Sequence, residues 1–274
     1  MPALKLQDIY IYPIKSCAGI RLKSWQVTEK GLQYDRQWMV VDHNREFLSQ
    51  RKLPKMALIK TRLIDNSLVL SAPDMEEIAI SLSPSNSQTT QVNLWDDLCH
   101  AEWVSAEVDQ WLSNFLNLQC QLVYQPEESI RQVDQKFSLP SDQVYFSDGF
   151  PFLIISESSL AALNKHMPYP ISMTRFRPNL VISGSASYEE DCWREISIGE
   201  IEFRLPKPCS RCPVPNIDPE TGIPSKETLK TLNQVRRSQN KVYFGQNALH
   251  NNTGTLMVND SVTVLTTGSA QPDI

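Results

Sequence analysis

The sequence predicts an α+β fold that is mainly antiparallel β. Short runs dense in β-branched and aromatic residues recur from residue 4 onward, turn residues separate them at short intervals, and helical periodicity is confined to a few segments. Strands outnumber helices and seldom alternate with them, which disfavours a doubly wound parallel sheet and favours barrel-like closure of an antiparallel one. A chain of 274 residues with 41% hydrophobic content is long enough for one large core or two modest ones.

In chain order, Leu4 to Ile14 has strand vocabulary, broken by Pro13 before Lys15 and Ser16. Ile20 to Leu22, Trp25 to Val27 and Gln37 to Val41 continue it, with turns at Lys30-Gly31 and Asp42-His43-Asn44 leading into Glu46-Phe47-Leu48. A meander is expected over Met56 to Ile64, Leu68 to Leu70, Ile78 to Leu82 and Val92 to Trp95. At Ser105 the period changes: Val108, Trp111, Leu112, Phe115 and Leu116 share one helical face and Ser105 can cap it. Beyond a strand at Leu122 to Tyr124, residues 125 to 150 are polar and aperiodic, a long loop of the kind that covers a site.

Pro151 to Ile155 is a strand, followed by a helix that Ser156 can cap. Asn179 to Ser183 is another strand, and Trp193 to Leu205 alternates around Gly199-Glu200 as a hairpin whose second strand leads to Cys209. Ser225 can cap a helix carrying Leu229, Leu232 and Val235, and Leu256 to Val258 with Val262 to Leu265 is expected to close the chain as a hairpin. The meander gives way to the helix near residue 120, which is the expected domain boundary.

Composition excludes several functions. The net charge of −5 argues against generic nucleic-acid binding, and no window approaches the ~18 apolar residues of a spanning helix. Charge is uneven, however: residues 1–62 hold 12 Lys/Arg against 5 Asp/Glu, and the remainder 14 against 26. A solvated basic face would explain the excess, as would an anion site or the docking of an acidic partner. The start of the chain lacks the pattern of a secretory signal, and the six cysteines form one close pair, which fits a reducing, cytoplasmic compartment.

That close pair, Cys209 and Cys212 with Arg211 between them, lies in the most chemically loaded stretch of the sequence. A thiolate is a nucleophile and a soft metal ligand, and a neighbouring guanidinium favours the anion. Structural zinc would need a second pair, which the chain lacks. Thioredoxin-like chemistry would need a helix start, which Pro213, Pro215 and Pro219 oppose. Inert buried thiols remain a reading, against which Arg211 counts because a cation is poorly suited to an apolar pocket. The prolines and the Asp218-Pro219-Glu220-Thr221-Gly222 turn fix the loop, as suits a preorganised metal ligand. Lys15, Ser16, Arg36, Arg175, Arg177 and Asn179 stand at strand ends and form an inventory for holding a phosphate, although a surface ion pair explains any one of the cations.

Five motifs, in order, resemble those of the MOSC proteins, and more narrowly of the amidoxime-reducing components and the bacterial YcbX-like reductases. They are Tyr12-Pro13-Ile14-Lys15-Ser16-Cys17, Tyr34-Asp35-Arg36-Gln37-Trp38, Phe146-Ser147-Asp148, Phe176-Arg177-Pro178-Asn179, and Cys209-Ser210-Arg211-Cys212 continuing to Gly222. The resemblance runs from about residue 4 to about 265. It implies an N-terminal β-rich MOSC domain over 1–120 and a MOSC β-barrel domain over 121–270, with molybdenum cofactor (a molybdopterin) between them. By the same resemblance Cys212 is the thiolate ligand of the metal and Asp148 an acidic residue near it. Lys15, Ser16, Arg36, Arg177 and Asn179 match positions holding the pterin and its phosphate, with Ser210 and Arg211 on the same cofactor wall.

The implied activity is reduction of N-hydroxylated small molecules, namely amidoximes, hydroxylamines or N-hydroxylated bases. Electrons would come from a separate ferredoxin-like or cytochrome b5-like protein. The relation to cofactor sulfurases implies an alternative, a cofactor or sulfur carrier with a persulfide on Cys212. Two departures stand out. Animal members carry Thr-Ser where this chain has Gly149-Phe150, and Phe150 is a candidate to narrow the substrate pocket. Animal members also bear an N-terminal membrane anchor, which is not expected here because Tyr12 already belongs to the first motif.

Overall fold

The computed structural model describes residues 3–84 and 88–272. β1 (Lys5–Ile11) ends before Pro13, which has no amide hydrogen to give a ladder. Then come β2 (Ile20–Leu22), β3 (Ser24–Thr28), β4 (Gly31–Leu32) and β5 (Trp38–Asp42). β6 (Lys60–Ile64), β7 (Ser67–Ser71) and β8 (Ile78–Ser81) form an antiparallel meander, and β9 (Thr89–Leu94) pairs with β10 (Asp97–Trp103). α1 (Ala106–Leu116) is capped by Ser105, whose side chain accepts from the Val108 amide, and β11 (Cys120–Tyr124) follows.

The second half begins with a crossover, β12 (Phe152–Ser156), α2 (Glu157–Asn164) and β13 (Leu180–Ser183), in which the two strands are parallel because a helix joins them. β14 (Trp193–Ile198) and β15 (Ile201–Ser210) are the expected hairpin around Gly199. α3 (Glu227–Val235), β16 (Arg237–Ser238), β17 (Lys241–His250), β18 (Gly254–Met257) and β19 (Val262–Thr267) complete the chain. The fold is α+β and mainly antiparallel.

A nine-stranded sheet runs in the order β19-β14-β15-β17-β12-β13-β1-β2, with β16 paired to β17. Its far strands are brought together where the Leu6 amide donates to the Asp260 carbonyl (2.9 Å) and the Val262 amide to the Leu4 carbonyl (3.0 Å), so the sheet curls towards closure. The second sheet runs β5-β11-β10-β9, and its strand β5 is buried on both faces. Trp38 and Val40 pack with Met56, Val108, Leu112 and Leu122, whereas Met39 and Val41 pack with Val92, Ala101, Val123 and Phe146. Alternation therefore vanishes from the sequence of β5, because both faces are apolar. Tyr34 and Leu63 touch both this core and that of the large sheet. No helix among the described residues is long and apolar enough to cross a membrane.

Several expectations need correction. Met56 to Ile64 is not one strand: Pro54–Leu58 is a 3-10 turn, with Pro54 at its start, and the strand begins at Lys60. The last two strands do not pair with each other. β18 pairs with β3 and β19 with β14, because the turn at Asn259-Asp260 is seized by Leu6 on β1. Ser225 is not the cap of α3; Lys226 holds that position, and the Ser225 hydroxyl accepts from the Glu227 amide at 3.3 Å. Glu46 to Leu48 makes isolated bridges rather than a strand. The ten-residue β17 escaped notice, since Gly245, Gln246 and Asn247 interrupt its apolar pattern.

Gly245 marks a tight point of the large sheet. Its φ is +80°, and a Cβ there would lie 2.6 Å from Ile155 Cγ1 and 2.9 Å from the Ile154 carbonyl oxygen. β17 lies between β12 and β15, which carry residues of the cavity described next. Gly245→Ala is expected to destabilise the protein by about 1–3 kcal/mol through strain and overpacking, measured as a lower urea midpoint.

Candidate functional site

A cavity of about 290 Å³ opens beside strand ends of the two sheets. Its wall includes the nine positions that the family resemblance assigned to the site: Lys15, Ser16, Arg36, Asp148, Arg177, Asn179, Ser210, Arg211 and Cys212. They come from segments far apart in the chain, each next to a strand end. Lys15 and Ser16 follow β1, Arg36 precedes β5, Asp148 precedes β12, Arg177 and Asn179 precede β13, and β15 ends at Ser210.

Tyr12 organises the cationic side. Its buried ring has the Arg36 guanidinium 4.3 Å and the Arg177 guanidinium 4.1 Å from its centroid. Arg36 Nη1 donates to Asp35 Oδ2 (2.5 Å) and Asn179 Oδ1 (3.0 Å), and Arg177 Nη1 donates to the Cys17 carbonyl (2.6 Å). Asn179 also donates to the Tyr10 carbonyl and accepts from the Leu153 amide, so its side chain holds Arg36 and two strands in register. Burial, and then the charge of Arg36, pull the Arg177 guanidinium down to about 10. It stays charged at neutral pH. Ser16, Arg36 and Arg177 all have left-handed backbones, with φ of 69°, 53° and 55°.

The two thiols differ from the expectation drawn from spacing. Arg211 Nη1 donates to Cys209 Sγ at 3.0 Å, and Nη2 to the Phe176 carbonyl at 2.7 Å. The guanidinium that stands between the two thiols in the sequence is thus bonded to Cys209. Burial nevertheless raises the Cys209 thiol, with Arg211 working against it. Cys212 is half-buried and lines this cavity and a shallower one of about 400 Å³ beside α3. No α-helix follows it: Val214–Asn216 is a short 3-10 turn. Asp218 holds the loop beyond by accepting from the Glu220 and Thr221 amides, and Arg175 points to Asp218 (2.5 Å), so Arg175 is spent on the loop rather than the cavity.

The cavity wall carries six cationic side chains, Lys15, Arg36, Arg51, Arg177, Lys207 and Arg211, against one carboxylate, Asp148, among the described residues. Three of the guanidiniums keep a buried nitrogen without a hydrogen-bond partner: Arg177 Nη2, Arg211 Nε and Arg51 Nε. Such a surplus of cations and unspent donors suits an anionic ligand with several acceptor oxygens. Among the described residues there is no cluster of three or more His, Cys, Asp or Glu side chains that could hold a metal by itself. Arg51 and Lys207 were invisible in the sequence, since each sits in a segment with no motif. Arg51 stacks on Trp95 at 4.2 Å, a partner 44 residues away.

Lys15 is buried, and its ammonium donates to the Phe146 carbonyl (2.7 Å) and to Asp148 Oδ1 (2.5 Å). The Asp148 side chain is 64% exposed because it faces the cavity. Protein crowded around it would raise its carboxyl, but the Lys15 ammonium, with Arg51 and Arg36 behind, holds it well below the usual carboxylate range. Because the folded value is lowered, Asp148 contributes stability above its unfolded pKa of about 4 and loses it on acidification. Asp148→Asn is therefore expected to be less stable than the parent at pH 7, with the gap closing between about pH 5 and pH 2, as urea midpoints across that range would record.

Comparison with known proteins shows the family to which the chain belongs. Residues 3–119 match the MOSC N-terminal beta barrel domain family, and residues 141–263 match the MOSC domain family. The chain is 36% identical to mitochondrial amidoxime-reducing component 1 of Mus musculus over 94% of its length and 81% of that protein's. For the Homo sapiens protein of that name the identity is 34%, over 94% of this chain and 82% of that one. It is also 34% identical to the molybdenum cofactor sulfurase of Homo sapiens, covering 89% of this chain but 30% of that longer protein. With both domain families matched and this identity spread over most of its length, the chain belongs to the MOSC family and is a relative of the amidoxime-reducing components.

Proposed function

We propose that the chain is a molybdenum cofactor-dependent oxidoreductase that reduces N-hydroxylated small molecules with electrons from a separate redox protein. The observation that carries this reading is the cavity with six cations, three unspent guanidinium nitrogens and the half-buried thiol of Cys212 in one wall. These residues fit the cofactor: a phosphate-bearing pterin is anionic and rich in acceptors, and molybdenum takes soft sulfur ligands.

Arg177 and Arg36, held against Tyr12, with Lys15 and Ser16 would bind the phosphate and pterin. Asn179 keeps Arg36 in place (3.0 Å) instead of reaching for the ligand. Cys212 would supply the thiolate, and Ser210 and Arg211 complete that wall. When bound, the cofactor supplies a two-electron redox centre. Each turnover breaks one N–O bond, consumes two electrons and two protons, and releases the oxygen as water. Asp148, ionised beside Lys15 and open to the cavity, can order a water through Oδ2, the oxygen that Lys15 does not bind.

A second reading, a cofactor or sulfur carrier, draws on the relatives named molybdenum cofactor sulfurase. The two part on analysis of the purified protein. About one molybdenum per chain supports the reductase, whereas sulfane sulfur on Cys212 without metal supports the carrier. Cys212→Ala is expected to lose molybdenum and at least 10-fold of benzamidoxime reduction driven by an artificial reductant. Full retention of both would remove Cys212 from its role.

The electron donor we propose is an acidic ferredoxin-like or cytochrome b5-like protein docking on the basic surface contributed by residues 1–62. All six cysteines are free, consistent with a reducing, cytoplasmic location. Donor-driven turnover is expected to fall several-fold between about 0.05 and 0.5 M salt, while turnover with the artificial reductant changes little.

A further inference from the structure

Lys207 is one of two cavity cations that the cofactor reading leaves unused; the other, Arg51, stacks on Trp95. Arg36, Arg177 and Arg211 each donate to protein acceptors, and Lys15 is bound to Asp148. The Lys207 ammonium, by contrast, has no carboxylate within 4.0 Å among the described residues, and its recorded partners are aromatic. It lies 4.4 Å from the centroid of Phe137 and 6.0 Å from that of Phe150, and those rings meet edge to face at 6.3 Å. Lys207 is half-buried, two residues before Cys209 on β15, and both residues line the cavity.

This wall is built to stay in place. Phe150 packs on Val133, Val144 and Leu249. The loop that supplies both rings is tied down by Arg131, which donates to the Tyr145 (2.9 Å) and Ser147 (2.7 Å) carbonyls and pairs with Asp97. Asp142 of the same loop accepts two bonds from Arg204 on β15, at 2.8 and 3.0 Å. A rigid aromatic ring beside an ammonium with no acid partner matches a flat molecule that carries a negative charge: the ring stacks, and the charge takes the ammonium.

We propose that Lys207 and Phe150 form a specificity wall selecting planar N-hydroxylated substrates that bear an acidic substituent. This rests on the reductase reading for the word substrate, but the wall can be tested apart from it. The experiment compares benzamidoxime with 4-carboxybenzamidoxime as substrates, and benzamidine with 4-amidinobenzoate as unreactive ligands by calorimetry, for the holoprotein and its Lys207→Gln and Lys207→Arg variants. The carboxylate member of each pair is expected to be favoured about 5-fold by the parent, the size of a partly exposed ion pair. Lys207→Gln should bring both ratios to about 1, and Lys207→Arg should restore them. Equal treatment of the two members by the parent, or a preference that survives Lys207→Gln, overturns the proposal. Absent reduction of both amidoximes alongside a binding preference that Lys207→Gln abolishes would sink the reductase reading and leave the wall standing.

Discussion

Two guanidinium groups gathered on one buried phenol ring are the arrangement on which the rest of this structure turns. Arg36 and Arg177 repel each other, and burial adds to the cost. The protein compensates with the Tyr12 ring, the Asp35 carboxylate, the Asn179 amide and the Cys17 carbonyl. Those partners tie β1, β5 and β13 to one point, since the Asp35 carboxylate also accepts from the Tyr12 amide at 2.8 Å. Arg36, Arg177 and Asn179 of this junction also line the cavity. An anion bound there would relieve the like-charge repulsion, so ligand binding and junction stability are thermodynamically coupled.

The backbone tells the same story. Ser16, Arg36 and Arg177 hold left-handed conformations that cost non-glycine residues of order 1 kcal/mol each. A glycine would remove that cost at any of the three, but it would also remove the hydroxyl or guanidinium from the cavity wall. The strain persists because the surrounding bonds over-determine it. The Arg36 amide donates to the Tyr12 carbonyl and the Arg36 carbonyl accepts from the Phe146 amide, both at 2.9 Å.

What could be seen in the sequence follows from this physics. The strand ends at Lys15, Arg36, Arg177 and Asn179 were legible because charged and amide side chains there stand out against apolar runs. α1 was legible through its period and through Ser105. β17 was not, because a glycine required by close packing and two amides facing the cavity and the Asp191 network break its pattern. The pairing of Arg211 with Cys209 also escaped, since adjacency along a chain does not fix which side of a strand end a side chain takes. Arg51 and Lys207 became visible only through aromatic partners far away in sequence. The closing hairpin failed for a related reason: local turn chemistry at Asn259-Asp260 is overruled by bonds to β1, at the other end of the chain.

The place of β1 in the large sheet bears on how the molecule is made. Lys5 to Ile9 pairs with Leu180 to Ser183, so β1 is synthesised more than 170 residues before that partner exists. Loop closure over such a separation is slow, and meanwhile β1 has only the three-residue β2 beside it. The four-stranded sheet, whose strands all lie within residues 38–124, can form earlier and shelter the growing chain. Completion of the large sheet then also completes the cavity wall, so the cavity is absent from the nascent chain until these long-range pairings close.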